Sequence, residues 1–264
     1  APPPPDAPLA RWRGELTAVG TLLIVKVLTL IFGALAYQLA NEELLPSWRA
    51  AFAIWDRWDA PHYLDLARYG YAASGEQGLF IVFYPLLPLL TRLVGGPLGD
   101  YLAGAFIVST LASIVAVVLL YRLVRLDHDE AVARRAVWFF CIFPTSYFLH
   151  IGYTESLFMA LTLGVFLAAR TGHWHWIGLL GALACLTRVN GLVLVPALGV
   201  EALARLWQTR RWDWQWLWIG VVPLGFVGYL WLNYQVTGNP FRFLEITRDH
   251  WHKSFAPPWS GIDA

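Results

Sequence analysis

The sequence predicts an all-α, polytopic transmembrane protein with about seven spans, and three observations support this fold class. Hydrophobic residues make up 58% of the 264 residues and charged residues only 14%, which leaves too little polar surface to cover a soluble globule of this size. Several apolar runs are long enough to cross ~30 Å of hydrocarbon as helices. Arginines cluster beside some of these runs and not others, as expected when successive loops alternate between the two sides of a membrane.

The first span is predicted at residues 16–37. Residues 1–14 are Pro-rich and have nothing to bury, so we predict a disordered cytoplasmic tail, and Arg13 supplies a basic flank that keeps the start of the span in the cytoplasm. Lys26 lies near the middle of this span, where a charge costs roughly 3 kcal/mol. We favour an internally paired lysine over a direct role in ligand binding.

The region after this span, residues 39–100, is predicted to be an outer loop that contains short interfacial helices. Its apolar run at residues 80–94 holds two prolines and is short for a straight crossing, so we interpret it as interfacial or re-entrant. If this run crossed the membrane, the arginine cluster of residues 122–135 would lie outside, against the positive-inside rule.

The remaining spans complete a transmembrane domain at residues 15–236. They are predicted at residues 101–120, at 137–149, in a run that ends at 170, and at 174–187, 192–206 and 216–234. Residues 237–264 would then be a non-cytoplasmic segment that starts a further region. This topology brings four polar groups to the same non-cytoplasmic side: residues 55–71, residues 150–155, Arg188 with Asn190, and the final segment.

The polar stretch at residues 55–71 contains two carboxylates, Asp56 and Asp59, flanked by tryptophans. Asp59, His62 and Tyr63 follow the spacing of one helix face. The simplest interpretation of Asp59 is an N-cap worth ~1 kcal/mol, but this does not explain a second carboxylate beside exposed aromatic residues. The spacing alone leaves both interpretations open.

Two further charged residues are candidates for the same site. Glu155 begins an apolar span, where a carboxylate also stabilises the positive end of a helix dipole, so a terminal cap and a site role are both open. Arg188 stands between two short apolar helices and needs an anionic partner, for which a phosphate suits the guanidinium fork. We favour a functional arginine.

Other composition features exclude some functions. The net charge of +1 without a basic cluster large enough to bind phosphate backbones argues against nucleic-acid binding. Cys141 and Cys185 fall in apolar runs without metal-ligand spacing and are predicted to be small core residues. We assign no metal site and no certain cofactor, although two carboxylates in one loop make a divalent cation possible.

Nearly all basic residues are arginine, which favours a GC-rich genome. We therefore predict that the protein lies in a prokaryotic plasma membrane.

Five short motifs together resemble one family. They are RWDAPHY at residues 57–63, GY at 70–71, FYP at 83–85, GYTES at 152–156 and TRVNG at 187–191. In this order they resemble the PIG-V family, which comprises GPI mannosyltransferase II and its prokaryotic relatives. The resemblance implies a GT-C-like glycosyltransferase that takes a sugar, in this family mannose, from a polyprenyl-phosphate-linked donor on the outer face.

The resemblance also suggests roles for the candidate residues. Asp59 matches the Trp-Asp pair of the family and would be the catalytic base. Asp56 does not match the motif and is a secondary candidate by its proximity to Asp59 alone. Arg188, with Asn190, His62, Tyr63 and Glu155, would bind the donor phosphate or sugar. The acceptor would be an unidentified glycan or glycolipid beside the lipid bilayer. A second hypothesis is a non-catalytic binder or transporter of lipid-linked sugars.

Overall fold

The computed structural model describes residues 12–252, and every regular element among them is a helix. The α-helices of this part are α1 (Arg13–Asn41), α2 (Trp48–Ala53), α3 (Ala60–Tyr69), α4 (Leu86–Leu98), α5 (Tyr101–Val124), α6 (Glu130–Ile142), α7 (Thr154–Thr171), α8 (Trp174–Cys185), α9 (Leu194–Thr209), α10 (Pro223–Thr237) and α11 (Arg242–Asp249). Four 3₁₀ helices lie between them: Glu76–Val82, Ser146–Leu149, Val189–Val193 and Trp214–Val221. The predicted all-α fold class is confirmed.

Helix α5 is the centre of the bundle and packs against α1, α4 and α7. It runs antiparallel to α1, because the start of α1 lies beside the end of α5, where Glu15 pairs with Arg122 at 3.2 Å. At the other end of α5, Arg49 of α2 pairs with Asp100, the residue before α5, at 2.8 Å. The second end also carries the polar motifs, so we call it the site end and the first the basic end.

Four stretches of the described chain are long and apolar enough to cross a membrane. They are Arg13–Asn41, Tyr101–Val124, Val189–Thr209 and Trp214–Thr237. An integral membrane protein is therefore confirmed, while the predicted count of seven spans is not. Helices α6 and α8 contain 13 and 12 residues, which at 1.5 Å per residue is about 20 Å or less and short of a full crossing.

The predicted span at residues 137–149 is wrong in its boundaries. Helix α6 begins earlier, because the Asp129 side chain accepts a hydrogen bond from the Val132 amide at 2.9 Å and caps it. It ends at Ile142, just before Pro144, which cannot continue a helix. A 3₁₀ helix, Ser146–Leu149, then leads toward α7.

The predicted interfacial or re-entrant run is a bent pair of helices. The chain bends by 118° between the 3₁₀ helix Glu76–Val82 and α4. The bend is held from both sides, since the Leu86 amide donates to the Leu186 carbonyl at 3.0 Å and the Tyr229 hydroxyl donates to the Ile81 carbonyl at 2.7 Å. Tyr84 stacks on Tyr229 with 4.0 Å between ring centroids. Whether this pair crosses the membrane stays a prediction.

The terminal predictions fall mostly outside the described residues. Of the predicted tail at residues 1–14, only residues 12–14 are described, and Arg13 and Gly14 already belong to α1. Residues 253–264 of the predicted outer segment also lie outside. Both cysteines are fully buried and unpaired, as predicted for core residues.

Candidate active site

The loop that leads into α3 is held by the phenol of Tyr153, which precedes α7. The Tyr153 hydroxyl donates a hydrogen bond to the Arg57 carbonyl at 2.6 Å and accepts one from the Asp59 amide at 3.1 Å. Trp58, between these two partners, has a left-handed φ of 53°, which costs a non-glycine residue roughly 1–2 kcal/mol. The two hydrogen bonds therefore stabilise a strained loop that sets the position of Asp59.

The Asp59 carboxylate is exposed and makes no hydrogen bond or ion pair with the described residues. Its backbone is already helical, at φ −81° and ψ −14°, and its side chain does not cap α3. The N-cap interpretation left open by the spacing is therefore not observed. A free carboxylate on the surface of the site end is available to a ligand.

Tyr63 lies between Asp59 and the charged residues of the other motifs. Burial raises the pKa of the Tyr63 phenol, the charges of Asp59 and Glu155 raise it further, and Thr154 and Arg188 lower it. The Tyr63 ring also contacts Tyr153 edge-on, with 6.3 Å between centroids. The charges of Asp59, Glu155 and Arg188 thus all act on the pKa of one buried phenol. The fold therefore places these three predicted residues around Tyr63.

Arg188 has a protein partner. Its Nη1 donates to Glu155 Oε1 and, at 3.3 Å, to the Thr154 hydroxyl. The Arg188 side chain is still 40% exposed and the Glu155 side chain 29%, and the Arg188 Nε and Nη2 groups make no hydrogen bond with the described residues. Glu155 thus orients the guanidinium, and the remaining donors of the fork can take an anion.

Asp56 is placed differently from Asp59. Its Oδ1 is buried without a hydrogen-bond partner among the described residues. Burial raises the pKa of the Asp56 carboxyl, the charge of Asp65 adds to this rise, and Arg57 opposes it. A carboxyl with a raised pKa is a common feature of acid–base sites, so the structure gives the secondary candidate Asp56 more support than the sequence did.

The other two predicted ligands are less closely connected. The His62 ring packs against Phe80 and Phe83, with centroid distances of 4.4 and 5.3 Å, and so lies on an aromatic wall of the site. Asn190 is exposed on the 3₁₀ helix after Arg188. No hydrogen bond links the Asn190 side chain to another residue of the described chain.

The loop that carries Tyr153 and leads into α7 rests on buried polar groups, which sequence reasoning did not assign to the site. Lys26, 7% exposed, donates from Nζ to the His150 carbonyl at 2.7 Å, so it is internally paired as predicted. Ser109 of α5 donates to the Ile151 carbonyl and lies 3.1 Å from the Ser156 hydroxyl. These contacts satisfy backbone carbonyls that lie away from water.

Tyr153 is the residue of the candidate site that sequence reasoning missed. It lies inside the GYTES motif, so the motif itself contained the signal, but its partners are backbone groups 94 and 96 residues away. A hydrogen bond to a distant backbone group leaves no pattern of residue types.

No group of three or more His, Cys, Asp or Glu side chains within residues 12–252 is placed to hold a metal ion. A divalent cation at Asp56 or Asp59 would need ligands from a substrate or from water, which keep several positions around Mg²⁺ in many sites.

The fold and the site define a polytopic helical membrane protein with carboxylates, an arginine and aromatic side chains gathered at one end of its bundle. Comparison with known families gives a match to the family described as mannosyltransferase (PIG-V) over residues 28–211, well over half of the chain. The chain therefore belongs to the PIG-V mannosyltransferase family, as the resemblance of its motifs predicted.

Curated relatives agree with this family. The chain is 35% identical over 153 residues to GPI alpha-1,6-mannosyltransferase 2 of Rattus norvegicus, covering 54% of the chain and 30% of the relative. It is 30% identical over 182 residues to GPI mannosyltransferase 2 of Schizosaccharomyces pombe, covering 66% and 38%. The human GPI alpha-1,6-mannosyltransferase 2 is 33% identical over 153 residues, covering 53% and 30%.

The aligned part of the chain thus corresponds to 30–38% of the length of these relatives. No solved structure gives a significant match. The relatives named here are eukaryotic, so they lend no support to a prokaryotic plasma membrane, which stays a prediction.

Proposed function

We propose that this chain is part of an integral membrane mannosyltransferase that takes mannose from a polyprenyl-phosphate-linked donor and transfers it to a glycan or glycolipid acceptor. Family membership and the names of the relatives support the reaction class. The observation that carries the proposal is the free Asp59 carboxylate, whose charge acts on the buried Tyr63 phenol together with the charges of the Arg188–Glu155 pair.

Such a transfer removes a proton from the acceptor hydroxyl and leaves negative charge on the departing phosphate, and the site has residues suited to both. Asp59 accepts the proton of the acceptor hydroxyl, and the hydroxyl oxygen forms a bond to the anomeric carbon of mannose. The bond between that carbon and the phosphate oxygen breaks, and its electron pair leaves with the polyprenyl phosphate. The free donors of Arg188 stabilise the charge on that phosphate, while Glu155 keeps the guanidinium oriented.

The aromatic residues give the site a place for a sugar. His62 and Phe80, with ring centroids 4.4 Å apart and ring planes tilted by 37°, form an apolar wall with a polar edge. Asn190 supplies a further exposed amide near Arg188. We propose that these residues contact the donor sugar, with Tyr63 kept neutral at their base.

The active face is proposed to be non-cytoplasmic. The basic end of the bundle carries Arg122, Arg125, Arg134 and Arg135, which favours its retention in the cytoplasm. The site end is separated from it by the full length of α5, 24 residues or about 36 Å.

A binder or transporter of lipid-linked sugars is the second candidate, because it would use the same arginine and aromatic wall. A binder or transporter does not remove a proton from an acceptor hydroxyl and so needs no catalytic base. The exposed Asp59, held by the Tyr153 hydrogen bonds in a strained loop, favours the enzyme.

The experiment that separates the two candidates follows radiolabelled mannose from its polyprenyl-phosphate carrier in membranes that contain the protein. We expect the label to leave the carrier and appear in an acceptor, and Arg188→Gln to slow this at least tenfold. Arg170→Gln is the matched control, since Arg170 also forms a half-exposed ion pair, with Asp127, but at the basic end. Label that binds yet stays on its carrier would contradict the proposal and favour the binder.

A further inference from the structure

A polar cavity lies at the basic end of the bundle, far from Asp59. It has a volume of about 780 Å³ and opens between the start of α1, the end of α5, the start of α6 and the end of α7. Its charged lining consists of Arg13, Glu15, Arg122, Arg125, Glu130 and Arg134. Nothing in the proposed transfer reaction uses this cavity.

The charges of this cavity do not cancel. Arg122 pairs with Glu15, and Arg134 pairs with Glu130 at 3.1 Å. The other two arginines, Arg13 and Arg125, are exposed and form no ion pair with a described carboxylate. Arg125 donates instead to the His128 carbonyl. Four arginines and two glutamates therefore leave two positive charges in one concave surface, which favours an anion.

An apolar groove continues from this cavity along the bundle. The groove has a volume of about 680 Å³ and runs between α5 and α7, lined by side chains such as Val108, Leu111 and Leu161. Leu167 and Thr171 line both the groove and the basic cavity. A charged cavity that opens directly into an apolar groove matches a molecule with an anionic head and an acyl chain.

We propose that the basic cavity binds the phosphate headgroup of one anionic phospholipid, with an acyl chain in the adjoining groove. Basic pockets between helices on the cytoplasmic side are suited to such headgroups. A free phosphate would use Arg13 and Arg125 but not the groove. A zwitterionic phospholipid would fill the groove but would gain little from the two unpaired arginines.

The test is native mass spectrometry of the purified chain in a neutral detergent, titrated separately with phosphatidylglycerol, phosphatidylcholine and inorganic phosphate. We expect one phosphatidylglycerol to bind much more tightly than phosphatidylcholine. Arg125→Gln should weaken this binding about fivefold, which corresponds to about 1 kcal/mol for an arginine near an anionic surface. Arg135→Gln is the matched control, because Arg135 is exposed on the same end but does not line the cavity.

Three outcomes would overturn the proposal. Equal retention of phosphatidylglycerol and phosphatidylcholine would mean that the cavity does not select charge. Equal weakening by Arg125→Gln and Arg135→Gln would indicate general surface attraction. Displacement of phosphatidylglycerol by equimolar inorganic phosphate would assign the cavity to a free anion. None of these readouts depends on mannose transfer.

Discussion

At the scale of single residues, the Tyr153 hydroxyl does the most to position the candidate base. We expect Tyr153→Phe to keep the ring packing but to release the Arg57 carbonyl and the Asp59 amide, each hydrogen bond being worth about 1 kcal/mol. Because a small displacement of a reacting group can cost ~100-fold in rate, kcat should fall by tenfold or more while KM for the donor changes little.

Tyr147→Phe is the control for this prediction. Tyr147 belongs to the same aromatic cluster, with its ring 4.1 Å from that of Phe148, but its hydroxyl makes no hydrogen bond within the described chain. Steady-state kinetics on both variants checks the point. An equal loss of kcat in the two variants would assign Tyr153 to packing alone.

The half-buried Asp56 carboxyl makes stability depend on pH. Its pKa is raised in the folded state from the usual 3.8, so folding favours the neutral form. Asp56 therefore destabilises the fold progressively as the pH rises from about 3.8 through the raised value, and fully at neutral pH. We expect Asp56→Asn to raise the midpoint of thermal unfolding at pH 7, with a gain that shrinks toward pH 4.

Asp249→Asn is the counterpart. The pKa of Asp249 is lowered by its contact with Arg248, so its removal should not raise the midpoint at any pH. Thermal unfolding of the purified variants across this pH range measures both. A gain for Asp56→Asn that is equally large at pH 4 and pH 7 would contradict the assignment of the effect to a buried charge.

The candidate site residues could be predicted from the sequence, but their contacts could not. Asp59, Glu155 and Arg188 could be proposed from residue type and motif, because a carboxylate or guanidinium among apolar runs needs a reason. The pairing of Arg188 with Glu155, the burial of the Asp56 Oδ1 and the Tyr153 hydrogen bonds could not. They depend on distances between segments that are far apart in sequence.

At the scale of elements, a close contact between glycines packs α4 against α5. A Cβ added to Gly104 of α5 would lie 2.7 Å from the Gly95 Cα of α4 and 3.0 Å from the Thr91 carbonyl oxygen. We expect Gly104→Ala to destabilise the protein by about 1–3 kcal/mol, the usual cost of overpacking. Urea or heat unfolding in detergent, followed by circular dichroism, measures this loss.

Gly199→Ala is the matched control in another helix, α9. A Cβ there would meet nothing within 4 Å, and alanine is the better helix former, so the variant should be neutral or slightly more stable. Equal stability of the two variants would mean that α4 and α5 can separate without cost.

Sequence patterns predicted the long elements well and the short ones less well. The runs predicted at residues 16–37 and 101–120 are the single helices α1 and α5. An unbroken apolar stretch of that length forms a helix in a membrane, because a helix satisfies all its backbone hydrogen bonds internally. The α6 boundaries were wrong because a capping aspartate and a proline, both outside the apolar run, decided where the helix begins and ends.

At the scale of the whole molecule, the antiparallel pair of α1 and α5 separates the site end from the basic end. Cys141 and Cys185 are fully buried, so they should not react with a thiol reagent. Single introduced cysteines can therefore show on which side of the membrane a given residue lies. We expect Ser74→Cys, exposed in the predicted outer loop after α3, to react with an impermeant maleimide in intact cells. His128→Cys, exposed at the basic end, should react only after permeabilisation, and labelling of both in intact cells would contradict the proposed orientation.

The most direct measurement is the rate of mannose transfer in membranes that contain Asp59→Asn. General-base catalysis contributes at least about 100-fold, so we expect a loss of that size, without loss of protein from the membrane. Asp127→Asn, which replaces an exposed carboxylate at the basic end, should transfer at the wild-type rate. Wild-type transfer by Asp59→Asn would contradict the assignment of Asp59 as the base.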